Sequence, residues 1–127
     1  MKVLQVLESA YRATIEEQDD TVVWITHAMR GAGAALDVLL TGNAVNYILS
    51  GQDASGLAFG DWRQTQPPRL DSDLAGLIAK GVKVYYLRED AQARGIGGAN
   101  DIVAGIAAVN RADVPGLFGD YDQIWHW

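Results

Sequence analysis

The chain has no cysteine at all. Disulfides, thiolate metal sites, thiol catalysis and persulfide carriage are therefore excluded together. Histidine is nearly as scarce: His27 and His126 are the only imidazoles among 127 residues, and nothing in their spacing suggests a zinc site. Positive charge is also short. Ten Lys and Arg face sixteen Asp and Glu, a formal charge of −6, so the phosphate-neutralising field that nucleic-acid binders rely on is missing. No apolar run is long enough to span a bilayer, and the opening MKVLQVLESAYR meets Glu8 and Arg12 before a signal-peptide core could form. These absences lead us to expect a cytoplasmic protein with neither nucleic acid nor membrane as partner.

What is present is the balance of a globular domain. Apolar residues make up 49% and charged residues 20%, and a chain of this length suits one domain with one core. The run VLQVL at 3–7 reads as a buried strand. Asp19 and Asp20 supply N-cap chemistry for a helix over 21–30, stopped by Gly31 and Gly33. Its β-branched Thr21, Val22, Val23 and Ile25 pull toward a strand, but Val22, Ile25 and Met29 at helical spacing favour the helix.

A strand at 36–40 turns through Thr41-Gly42-Asn43 into a short helix at 44–49, and 50–69 reads as a long irregular segment with the pair Pro67-Pro68. Asp71 or Ser72 caps a helix over 74–80, and a strand follows at 82–87. Further pieces are a helix over 90–95, a helix-like stretch at 102–106 capped by Asn100 or Asp101, and a strand at 107–110. A helical turn from Pro115 to Phe118 and a last strand at 123–127 complete the chain. Alternation of this kind requires crossover connections, and so an α/β domain with a parallel sheet covered by helices. Ligand sites in such sheets form at the carboxyl ends of the strands, here near 8–12, 41–46 and 88–95.

Candidate site residues follow from that placement. Glu89, Asp90 and Arg94 stand at a strand-to-helix junction, where a cap and an Asp90–Arg94 pair are the simplest reading and an Arg94 anion fork is the functional one. Asn43 and Asn46 flank a helix start, whose backbone N–H groups are either capped by Asn43 or available to a small anion. Tyr11 and Arg12 follow the first strand, where Arg12 can also pair with Glu16 at helical spacing. The glycines of RGIGGAN lack the strand and length of a dinucleotide loop, and LLTGNAVNY has no Walker lysine. No cofactor, metal or catalytic residue is expected. Period-2 alternation would turn Trp125 and Trp127 away from Ile124 and His126. Trp62 in its polar loop, with Trp125 and Trp127, is a candidate interface anchor.

Four segments carry a family likeness: LLTGNAVNYIL, LIAKGVKVYYLRED, the ARGI that follows it, and the terminal YDQIWHW. In order and spacing, from Leu36 onward, the chain resembles the DsrE/DsrF/DsrH (TusBCD-like) sulfur-relay family. The resemblance implies a flavodoxin-like three-layer fold with a mostly parallel five-stranded sheet, a homo- or hetero-oligomer with the homo-oligomer expected, and a sulfur-carrier protein as a partner. It also implies that carriers of the family bear their persulfide cysteine near the position of Leu87, ahead of the Arg94-Gly95 turn. With no thiol there, the chain is expected to be a non-catalytic member that binds a carrier or a small sulfur ligand without forming a persulfide. The rival expectation is a binding protein or enzyme for small molecules or anions, using the strand ends around Tyr11, Asn43, Glu89, Asp90 and Arg94.

Overall fold

The computed structural model describes residues 1–12, 20–52, 56–98 and 101–127. The first strand, β1 (Lys2–Leu7), leads to helix α1 (Thr21–Gly31) and strand β2 (Ala35–Leu40). A 3-10 segment, Gly42–Ile48, and a small hairpin, β3 (Ala58–Phe59) with β4 (Trp62–Arg63), precede helix α2 (Leu70–Ala79). Strand β5 (Val84–Leu87) runs directly into helix α3 (Arg88–Ala93). Strand β6 (Ala107–Val109), a 3-10 turn at Arg111–Asp113, helix α4 (Val114–Gly119) and strand β7 (Gln123–His126) follow.

Five strands form one sheet in the order β6-β5-β2-β1-β7, and every neighbouring pair is parallel. The expected α/β fold with a mostly parallel five-stranded sheet is thus what the chain adopts. From β1 to β6 the chain steps in one direction, then returns past β1 to place β7. Right-handed crossovers put connections made in opposite directions on opposite faces of the sheet. Packing agrees: α1, α2 and the 3-10 segment cover one face through Val22, Val23, Val45, Leu74 and Leu77 against Leu7, Val38, Leu40 and Val84. On the other face, among the described residues, α4 is the helix that packs, with Val114, Leu117 and Phe118 against Leu4, Val6 and Leu39.

Each face also carries a buried polar group with its partners. Asp20 is the N-cap of α1, its carboxylate accepting from the Val22 and Val23 N–H groups at 2.8 and 3.2 Å. The other carboxylate oxygen takes the hydroxyl of the fully buried Tyr47 at 2.6 Å. On the α4 face Asp37 accepts the Tyr121 hydroxyl and the Lys83 N–H, both at 2.7 Å, with Lys2 at 3.4 Å. Burial, with the Asp37 hydrogen bond, pushes the Tyr121 phenol far above its ordinary value.

Several sequence expectations are corrected. Residues 102–106 are not helical: Ile102 bridges Leu49 antiparallel, Val103 N–H donates to Ile48, and Gly105 sits at φ 87°. β-branched Ile102 and Val103 suit that extended pairing better than a helix. The 50–69 stretch holds the hairpin β3–β4, turned at Gly60 with φ 57°. Helix α2 begins at Leu70, ahead of the expected caps, and the Asp71 carboxylate instead accepts from Gly51 and Ser72 N–H groups, which hold it below its ordinary range. α3 starts two residues before Asp90, and the segment after Gly42 is 3-10 throughout. Asp19, Asn100 and the Arg12–Glu16 pair involve positions outside the described residues.

Candidate functional site

At the carboxyl ends of the strands, on the face covered by α4, lies an open cleft of about 510 Å³. Val6, Leu39 and Leu87 from β1, β2 and β5 line it, and Val114, Pro115 and Phe118 of α4 form an apolar wall. Leu87 is only 3% exposed, so the deep part of the cleft is hydrocarbon. The remaining lining is polar: Glu8, Thr41, Gly42, Asp90, Arg111 and His126.

The rim is organised around two side-chain pairs. Parallel pairing of β1 and β7 sets Val6 opposite His126, and His126 Nε2 lies 2.8 Å from Glu8 Oε2. Both side chains are well exposed, so this contact contributes at most a few tenths of a kcal/mol. Across the cleft, Arg111 Nη2 reaches Asp90 Oδ1 at 2.6 Å, while the neighbouring Glu89 takes the Arg111 backbone N–H at 2.9 and 3.0 Å. Asp90 Oδ2 accepts the Gly42 N–H at 2.6 Å. The Gly42 donor is thus filled by a carboxylate of the chain itself.

Gly42 has to be glycine for two reasons. Its φ of 51° is left-handed, and a Cβ there would stand 3.0 Å from Glu8 Cγ and 3.2 Å from the Glu8 carbonyl oxygen. Gly42→Ala is expected to destabilise the fold by about 1–3 kcal/mol and to loosen the Asp90 contact. Urea unfolding measures the first and the Asp90 side-chain NMR shift the second.

The seven residues expected to bind ligand are spread over this rim and beyond it. Asp90 lines the cleft, and Glu89 braces it through Arg111. Arg94 lies close by, but its guanidinium is occupied: Nε and Nη2 donate to Asn43 Oδ1 at 3.2 and 2.9 Å, and Nη1 to the Asp90 carbonyl at 3.1 Å. The expected Asp90–Arg94 pairing therefore runs through the backbone oxygen, and the Asp90 carboxylate goes to Arg111. Asn43 receives Arg94 and does not cap a helix through its side chain. Asn46 donates to the Asn43 carbonyl at 2.8 Å, one residue pair removed from the cleft.

Tyr11 lies on the opposite side of the 3-10 segment. Its ring packs edge-on against Tyr47 with centroids 5.3 Å apart, its N–H donates to the Tyr47 hydroxyl, and its own hydroxyl donates to Gln52 at 2.8 Å. Arg12 follows it, half-buried, and is not among the cleft residues. Arg111, His126 and Phe118 were not singled out as ligand residues from the sequence, and Leu87 only as the place where the resemblance puts a carrier's cysteine. Only the pairing of β7 with β1 and the placing of α4 bring them together, and no local motif signals that.

In fold the chain is similar to the ychN protein from E. coli. The match has a TM-score of 0.75 at 18% identity, covering 99% of this chain and 98% of that one. A protein of unknown function from Methanobacterium thermoautotrophicum, MTH1491, matches with a TM-score of 0.65 at 12% identity, over 98% of this chain and 97% of the other. No family model and no curated protein sequence matches the chain. Likeness at these identities establishes the architecture, the ychN-like parallel sheet. Among the described residues no helix is long and apolar enough to cross a membrane, and no cluster of His, Asp and Glu could hold a metal ion.

The two aromatic groups expected at interfaces sit apart. Trp62 is half-exposed on the hairpin and packs against the exposed Phe59, centroids 5.9 Å apart. Trp125 and Trp127 share a shallow recess with Ile25, Met29 and Gln5 on the α1 face, where Trp127 Nε1 donates to Gln5 Oε1 at 3.1 Å.

Proposed function

We propose that this chain is a non-catalytic DsrE-like protein of sulfur metabolism, whose strand-end cleft receives the sulfur-bearing end of a carrier protein or a small sulfur ligand without a persulfide forming on the chain. The observation that carries the reading is Leu87. It lines the cleft at the place where the resemblance puts a carrier's cysteine, and a hydrocarbon there can pack against polarisable sulfur but cannot be attacked by it. Arg111 and His126 border the same space: the exposed His126–Glu8 contact is cheap to open when an anionic sulfur arrives, whereas Arg111 is held by the less exposed Asp90, whose other oxygen takes the Gly42 N–H. The exposed aromatics of the hairpin and the Trp125–Trp127 recess support assembly as a homo-oligomer, which sedimentation at micromolar concentration measures.

Leu87→Cys tests the cleft directly by putting a thiol on its floor. Mixed with a single-cysteine sulfur-carrier protein activated as a mixed disulfide, the variant is expected to cross-link at least tenfold faster than a Ser72→Cys control on the surface of α2. Equal rates would count against the cleft as the meeting place. The rival reading, a small-molecule or anion site, has the Asp90–Arg111 pair in its favour, since a ligand carboxylate could replace that of Asp90. Acetate saturating the cleft, with neither thiosulfate binding nor carrier cross-linking, would favour it.

A further inference from the structure

On the other side of α3 lies a second recess, of about 350 Å³, lined by Tyr86, Arg88, Ala91, Gln92 and the turn 95–98. Alternation along β5 turns Leu87 into the cleft and Tyr86 toward the opposite face, where it packs with the α1–α2 core. Helix α3 then presents Asp90 to the cleft and Arg88, Ala91 and Gln92 to the recess. This second space is separate from the site discussed above and does not depend on the function proposed for it.

Its polar side chains are unengaged. The Tyr86 hydroxyl, the Arg88 guanidinium and the Gln92 amide have no hydrogen-bond or ion-pair partner among the described residues. By contrast Arg30 is bonded to the Lys80 carbonyl, Arg94 to Asn43 and Arg111 to Asp90. Arg88 and Gln92 stand four positions apart, one turn along the same helix face. Facing them, Gly95, Gly97 and Gly98 hold φ values of 71°, 130° and 62°, and a Cβ at any of the three would meet nothing within 4 Å. That turn leaves open space where side chains would otherwise intrude. The floor is apolar, formed by the buried Ala91 and Ile96.

We infer that this recess binds small organic carboxylates. An Arg fork matches the two carboxylate oxygens, Gln92 and the Tyr86 hydroxyl can donate to the same group, and a short hydrocarbon body covers Ala91 and Ile96. Net charge favours a singly charged ligand: a chain carrying −6 repels a phosphate dianion more strongly than a carboxylate.

The test is an NMR titration of the 15N-labelled chain with sodium butyrate, with sodium chloride at equal ionic strength as reference and sodium phosphate as competitor. Butyrate is expected to shift the amides of Arg88, Gln92, Gly95 and Gly98 saturably. Arg88→Gln, an exposed substitution that leaves the rest of the spectrum in place, is expected to weaken that binding at least tenfold, whereas Arg63→Gln leaves it unchanged. Shifts that do not saturate, that chloride reproduces, or that survive Arg88→Gln would overturn the inference. Tighter binding of phosphate at the same amides would overturn it too, in favour of a phosphoryl ligand.

Discussion

Asp20→Ala is expected to lower the unfolding free energy by about 3 kcal/mol, through loss of a helix cap worth about 1–2 kcal/mol and of the acceptor for a buried hydroxyl. Two backbone N–H groups of α1 and the Tyr47 hydroxyl all end on this one carboxylate, and both Asp20 and Tyr47 are sealed from water. Burial first, and the Asp20 contact second, push the Tyr47 phenol far above its ordinary value, so it stays a neutral donor at any physiological pH. Asp20→Asn keeps an acceptor oxygen and should recover more than half of the loss. Tyr47→Phe leaves the cap intact but removes the donor to a buried carboxylate and the acceptor of the Tyr11 N–H, and should cost about 1.5–3 kcal/mol. Urea denaturation separates the three. An Asp20→Ala midpoint indistinguishable from the parent would mean that the cap contributes nothing.

Asp90→Asn is expected to raise the affinity of the cleft for sulfate or thiosulfate at least tenfold. Asp90 already behaves as the cleft's resident anion, bound by the Gly42 N–H and by Arg111, both at 2.6 Å. Removing its charge frees an arginine fork for an external oxyanion and makes the rim one unit less negative, and charge-assisted hydrogen bonds of this kind are worth about 1.5–3 kcal/mol. Calorimetry at low ionic strength, in an Arg88→Gln background so that the second recess is silent, measures the gain. Equal binding by parent and variant would show that Asp90 does not compete for the site.

The architecture was legible because strand and helix signals alternate along the chain, and that alternation leaves few topologies open. Buried parallel strands such as VLQVL and VKVYYL announce themselves as apolar runs, and Asp20 stands ahead of α1 as a cap should. Where expectation and structure part, a long-range contact overrode a local preference. The 102–106 stretch is apolar enough for a helix, yet its backbone finds Ile48 and Leu49 instead. At the rim, sequence proximity drew attention to Arg94 beside Asp90, but geometry assigns Asp90 to Arg111, twenty-one positions away. His126 could be given a facing from alternation but no partner, because Glu8 is 118 positions distant.

The sheet order also governs when the protein can become itself. β1 pairs on one side with β2 and on the other with β7, so Val3 waits for Gln123 and Val6 for His126. During synthesis from the amino end, one edge of β1 is an open hydrogen-bonding template until β7 has emerged. Closing that gap joins residues as distant in sequence as Val3 and Gln123, the slow class of pairing step. Truncations ahead of β7 should accordingly aggregate rather than yield a smaller working fragment.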